Sequence, residues 1–79
     1  MKTLADFVKA KRKEVHLTQI EFAQRAGVAL TVVRKIEQGK QNLNLGAVNQ
    51  VLKMFGHMLV PVSMREIDPK ENKESKEEV

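Results

Sequence analysis

The sequence predicts a mostly α-helical bundle of four short helices, closed by a short C-terminal β-strand that pairs across a dimer. Three observations predict it. Apolar residues recur at three- and four-residue spacing in four blocks. Gly27, Gly39 and Gly56 stand just after the second, third and fourth blocks, where a helix ends in a left-handed turn. The run HMLVPV, residues 57–62, is apolar but too short for a fifth helix.

The first helix starts at Thr3, with Asp6 three residues on as its capping partner, and runs to about Glu14. Leu4, Phe7 and Val8 share its inner face, while Lys9, Arg12 and Lys13 lie on the far side. Thr18 and Glu21 form a second capping box, which opens a helix over Gln19–Ala26 that buries Phe22 and Ala23. Two residues after Gly27, a third helix runs over Leu30–Gln38. Val33 and Ile36 lie on one of its faces, and Thr31, Arg34, Lys35 and Gln38 mostly elsewhere. Asn44 is a good N-cap for the fourth helix, whose stripe of Leu45, Val48, Val51, Leu52 and Phe55 ends at Gly56. Pro61 removes a donor from the strand, which places the strand at an edge. No second strand is visible in the chain, so the same strand of a second copy is the simplest partner.

Seventy-nine residues make one domain, and with no cysteine its core needs helix packing or oligomerisation for support. Residues 1–64 read as that domain, with the dimerisation strand at 57–62, and residues 65–79 as a charged tail that is disordered when free. The tail serves either as a solubiliser or as a segment that folds on a partner. The body carries ten Lys/Arg and four Asp/Glu, a net of +6, and the tail four and six, a net of −2. A basic body suits phosphate contacts, although excess lysine also simply keeps a small protein in solution. No 18-residue apolar run and no signal-peptide core occur, so the expected setting is cytoplasmic, without membrane contact.

No Ser/His/Asp constellation, phosphate-binding glycine loop or close carboxylate pair appears, which argues against an enzyme and against a cofactor. His16 and His57 have no second histidine or cysteine at ligand spacing, so no metal site is expected. The Lys11-Arg12-Lys13 run reads as a solvated helix face, and Met54, Met58 and Met64 as core or dimer packing.

Two short helices joined by a tight glycine turn can cross steeply, one over the phosphate backbone and the other in the major groove. That crossing needs small residues, here Ala23 and Gly27, and apolar anchors, here Val28, Val33 and Ile36. The stretch LTQIEFAQRAGVALTVVRKIEQG resembles the helix-turn-helix of the lambda-repressor/Cro-like (XRE) family. Leu17-Thr18-Gln19, Phe22-Ala23, Ala26-Gly27-Val28 and Ile36-Glu37-Gln38-Gly39 stand at that family's spacing. The resemblance covers residues 4–56. The strand that follows at once, in GHMLVPV, is similar to HipB-type antitoxins, repressors encoded beside a toxin such as a HipA-like kinase.

The resemblance implies a lambda-repressor-like bundle that binds double-stranded DNA as a homodimer on a palindromic operator, and an antitoxin that regulates its own operon. It implies base reading by Leu30, Thr31, Arg34 and Lys35, and phosphate contacts from Thr18, Gln19, Lys40 and Asn42. Gln19 would also brace the reading helix, and Arg12 and Glu37 would form a partly buried structural ion pair. Met58, Leu59, Val60 and Val62 would dimerise. Two departures stand out. Ala29 occupies a position where the family commonly has a capping Ser or Thr, and Leu30 and Val32 are apolar where polar readers are frequent. Leu30 either packs on a thymine methyl or stiffens the helix. The same two apolar residues favour a different function, a protein-interaction module that inhibits a partner enzyme with little DNA binding.

Overall fold

The computed structural model describes residues 3–64; the expected tail, 65–79, lies outside the described residues. Four helices follow in order: α1 (Leu4–Glu14), α2 (Gln19–Ala26), α3 (Leu30–Glu37) and α4 (Leu45–Lys53). Each start except that of α3 is fixed by a side chain. Thr3 Oγ1 accepts from the Asp6 amide at 3.1 Å, and the Asp6 carboxylate accepts from the Thr3 amide at 3.3 Å. Thr18 and Glu21 repeat the exchange at 3.1 and 2.8 Å. Asn44 Oδ1 accepts from the Ala47 amide at 3.1 Å and opens α4.

Helix ends are equally local. After α2 the Val28 amide reaches the Ala23 carbonyl, and after α3 the Lys40 amide reaches that of Lys35, with Gly27 and Gly39 left-handed between them. After α1 the Leu17 amide reaches Arg12 in the same pattern, but the left-handed residue is His16, at φ 58°. A side chain there is strained by the contact of its Cβ with the following carbonyl. We therefore expect His16→Gly to raise stability by about 0.5–1 kcal/mol, the strain of about 1–2 kcal/mol that it relieves less the extra backbone entropy that glycine loses on folding. Thermal melting checks it, and a lower melting temperature would show that the imidazole holds the turn.

The third helix is central and packs on α1, α2 and α4. The core takes Val8 from α1, Phe22, Ala23 and Ala26 from α2, Val33 and Ile36 from α3, and Val48, Val51 and Leu52 from α4. Phe55 stacks on Phe22 at 5.7 Å and meets the edge of Phe7 at 6.4 Å, which binds the end of α4 to α1 and α2.

Two expectations are corrected. Leu45 does not join the core and is 66% exposed, because it sits in the first turn of α4 at the margin of the stripe. The strand expected over 57–62 is not formed among the described residues. A single chain offers it nothing to pair with, and α4 takes up one of its donors: the Leu59 amide donates to Asn49 Oδ1 at 2.7 Å.

Candidate nucleic-acid interface

The outer face of α3 carries Thr31, Arg34, Lys35 and Gln38, all exposed, at the i, i+3, i+4, i+7 spacing of one helical stripe. Its inner face carries Val33 and Ile36, which are buried, and Leu30 and Val32, which pack half-buried against the core. The apolar character of Leu30 and Val32 thus has a packing reason. Thr31, Arg34 and Lys35, three of the expected readers, share this exposed face, while Leu30 is half-buried at its margin, one helical turn before Arg34.

The α3 stripe is held by a network on the last turn of the same helix. Glu37 is the one buried charged residue among the described residues. Arg12 grips its carboxylate with two bonds, Nε to Oε2 at 2.7 Å and Nη2 to Oε1 at 3.1 Å. The third Arg12 nitrogen, Nη1, donates to the Leu17 carbonyl at 2.8 Å and so holds the α1–α2 turn. Gln19 Nε2 adds a bond to Glu37 Oε1 at 3.1 Å. Burial pushes the Glu37 carboxyl up, but the bonds from Arg12 and Gln19 and the charges of Arg12 and Lys9 outweigh it, leaving the group below its ordinary value. The expected Arg12–Glu37 pair is therefore formed, and Gln19 braces α3 through it.

Because Gln19 reaches Glu37, the first turn of α2 lies beside the last turn of α3. Lys40 and Asn42, both exposed, follow in the loop three and five residues beyond Glu37. The Thr18 oxygen is engaged as a cap, yet its hydroxyl proton remains available to a phosphate. From Leu30 to Asn44 the exposed charges are Arg34, Lys35 and Lys40, with no exposed acid to oppose a polyanion.

One contributor was invisible to sequence reasoning. Gln50 of α4 donates Nε2 to the carbonyls of Ala26 and Gly27, at 2.9 and 3.1 Å, and clamps the turn between α2 and α3. Its approach is close: a Cβ on Gly27 would stand 2.9 Å from that nitrogen. Gly27 is thus favoured by its φ of 74°, and a Cβ there would push the Gln50 amide off its two carbonyls. A partner 24 residues away leaves no local signal.

The turn between α2 and α3 leads directly into a poorly capped helix. Ala29 has the extended N-cap backbone, φ −68° and ψ 149°, but no side chain to accept an amide. We expect Ala29→Ser to add about 1 kcal/mol, the usual worth of such a cap. In a domain of this size that raises the melting temperature by roughly 4–8 °C. A melting point at or below that of the parent would mean that these amides already have a partner.

Comparison with known proteins agrees with this geometry. The sequence profile described as helix-turn-helix matches residues 8–56, from within α1 to just past α4. The chain belongs to the XRE-type helix-turn-helix family. It is also 42% identical over 59 residues to an uncharacterized HTH-type transcriptional regulator, y4mF, of Sinorhizobium fredii. The match covers 71% of this chain and 78% of that protein. The matched stretch contains α2, the turn at Gly27 and α3. Among the described residues no helix is long and apolar enough to cross a membrane.

Proposed function

We propose that the chain is a sequence-specific DNA-binding transcriptional repressor that acts as a homodimer on a palindromic operator. The observation that carries this reading is the α3 stripe: Thr31, Arg34 and Lys35 are exposed together, beside Lys40, with no exposed acid. The name of the Sinorhizobium relative, a transcriptional regulator, supports it. Arg or Lys at such positions can bond both acceptors of a guanine edge, while Thr18, Gln19, Lys40 and Asn42 suit the flanking phosphates. A two-fold pair would set two α3 helices about 34 Å apart, in successive major grooves on one face of the duplex. Repression then follows by occlusion of polymerase.

The finer reading is an antitoxin that regulates its own operon and binds a toxin such as a HipA-like kinase. Its support is the similarity of a lambda-like core followed at once by GHMLVPV. The rival reading, a protein-interaction module, relied on Leu30 and Val32 as a docking face. Both residues pack partly buried against the core, which leaves less apolar surface for docking and favours DNA.

Gel-shift titration against the DNA upstream of the chain's own gene tests the repressor reading. Salt-sensitive, sequence-dependent binding is expected, and its absence there refutes the reading. Co-purification of the neighbouring gene product tests the antitoxin reading.

A further inference from the structure

The start of α3 is held from α4 rather than by a cap of its own. Thr3, Thr18 and Asn44 cap the other three helices, but Ala29 makes no side-chain cap bond. Just ahead of it lie the carbonyls of Ala26 and Gly27, which end α2 and which no backbone amide reaches among the described residues. Gln50 Nε2 donates to both, at 2.9 and 3.1 Å. One amide nitrogen carries two protons, so a single side chain serves both acceptors. The other end of α3 is tied through Glu37 to Arg12 and Gln19. With that end tied, the eight residues of α3 form a lever. At about 1.5 Å of rise per residue, a tilt of about 10° about Glu37 moves the start of the helix by roughly 2 Å. A hydrogen bond does not span such a shift, so an intact Gln50 clamp holds the tilt to less.

We propose that Gln50 is a positioning residue for base reading, which sets the angle at which α3 leaves the turn and so the base edges that Thr31, Arg34 and Lys35 meet. This role rests on the DNA-binding reading above and adds a determinant of sequence preference that lies on neither α2 nor α3.

Three features separate this role from plain support of the fold. Gln50 is itself exposed and its bond to Gly27 is open to water, so its removal should cost the fold little. Gln50 carries no charge, so the sequence-independent attraction to phosphate does not depend on it. The phosphate contacts proposed for Thr18, Gln19, Lys40 and Asn42 come from the start of α2 and the loop after α3, outside the turn that the clamp holds. What depends on the clamp is aim. A base contact needs its donors directed at one edge, and such a site tolerates only about 10–20° of misalignment.

Gln50→Met keeps the length of the side chain and removes its donors. Parent and variant, both as full chains, are titrated on a duplex that the parent selects from a random pool and on a scrambled duplex. Affinity for the selected duplex should fall by about tenfold or more, the worth of one good base contact, while the scrambled duplex and the salt slope are unaffected. In the free proteins, residual dipolar couplings should show the angle between α2 and α3 changed by about 10°. Gln50→Met combined with Ala29→Ser separates position from stability, because a new cap should restore any lost melting temperature but not the preference. A preference that returns with the melting temperature, an equal loss on both duplexes or an unchanged helix angle refutes the role of Gln50. A parent that prefers no sequence refutes the repressor reading instead, and the helix angle then still judges the clamp.

Discussion

Arg12→Ala should destabilise the domain by about 3–5 kcal/mol, the cost of stranding a buried charge by removing its partner. Small domains have only about 5–15 kcal/mol in all, so this variant should be partly unfolded at ambient temperature or melt far below the parent. The reason is geometric. Arg12 supplies two of the three hydrogen bonds to the Glu37 carboxylate and also holds the Leu17 carbonyl, so its loss opens α1, the α1–α2 turn and α3 together. Replacing both partners with apolar residues, Arg12→Met with Glu37→Leu, should recover most of the loss, because no unpaired charge is then left inside. Thermal melting of the three proteins checks this. An Arg12→Ala protein that melts within a degree or two of the parent would mean that water already solvates Glu37.

The same carboxyl predicts an acid dependence. Folded Glu37 lies below its ordinary value, so the unfolded chain takes up its proton first as pH falls. Its contribution is fully present above the ordinary value of 4.5 and is lost as pH drops through the lower, folded value. In Arg12→Ala the bonds that hold the carboxyl down are mostly gone, so this acid limb of the stability curve should shrink. Denaturant melts between neutral and acid pH read the difference.

Lys35→Ala should relax base preference, with a loss of about 1–3 kcal/mol that falls on the preferred site and spares other sequences. Lys40→Ala should instead weaken all sequences alike and reduce the salt slope of binding by about one. The contrast comes from position: Lys35 stands in the α3 stripe beside Thr31 and Arg34, whereas Lys40 stands in the loop beyond Gly39. Titrations of both variants on specific and scrambled duplexes, at several salt concentrations, distinguish the roles. A uniform loss in Lys35→Ala would assign that residue to phosphate and leave reading to Thr31 and Arg34.

Much of the fold was legible in the sequence because its determinants are local. The capping boxes at Thr3 and Thr18 and the Asn44 cap act over three residues, and the turns at Gly27 and Gly39 over five. Each expected helix start agrees with the structure, but α3 ends at Glu37, one residue before the expected Gln38, and α4 ends at Lys53, with Phe55 in the turn that follows rather than in the helix. The exposed polar stripe of α3 was legible for the same reason, since helical spacing alone separates Thr31, Arg34, Lys35 and Gln38 from Val33 and Ile36. Leu30 and Val32 were not settled, because hydrophobicity tells that a residue can be buried but not whether a neighbour comes to cover it.

By itself, then, the sequence determined where the helices start, which face of α3 is polar, and the helix-turn-helix spacing, since hydrogen bonds and side-chain periods within a few residues set all of these. Only the tertiary structure decided that Gln50 clamps the α2–α3 turn and that Asn49 holds Leu59 inward, away from Met58, Val60 and Val62. It also left the expected strand unformed within one chain. The physical reason is range: a cap bonds to its own turn of backbone, but a clamp or a ladder needs a group that the fold must first bring near.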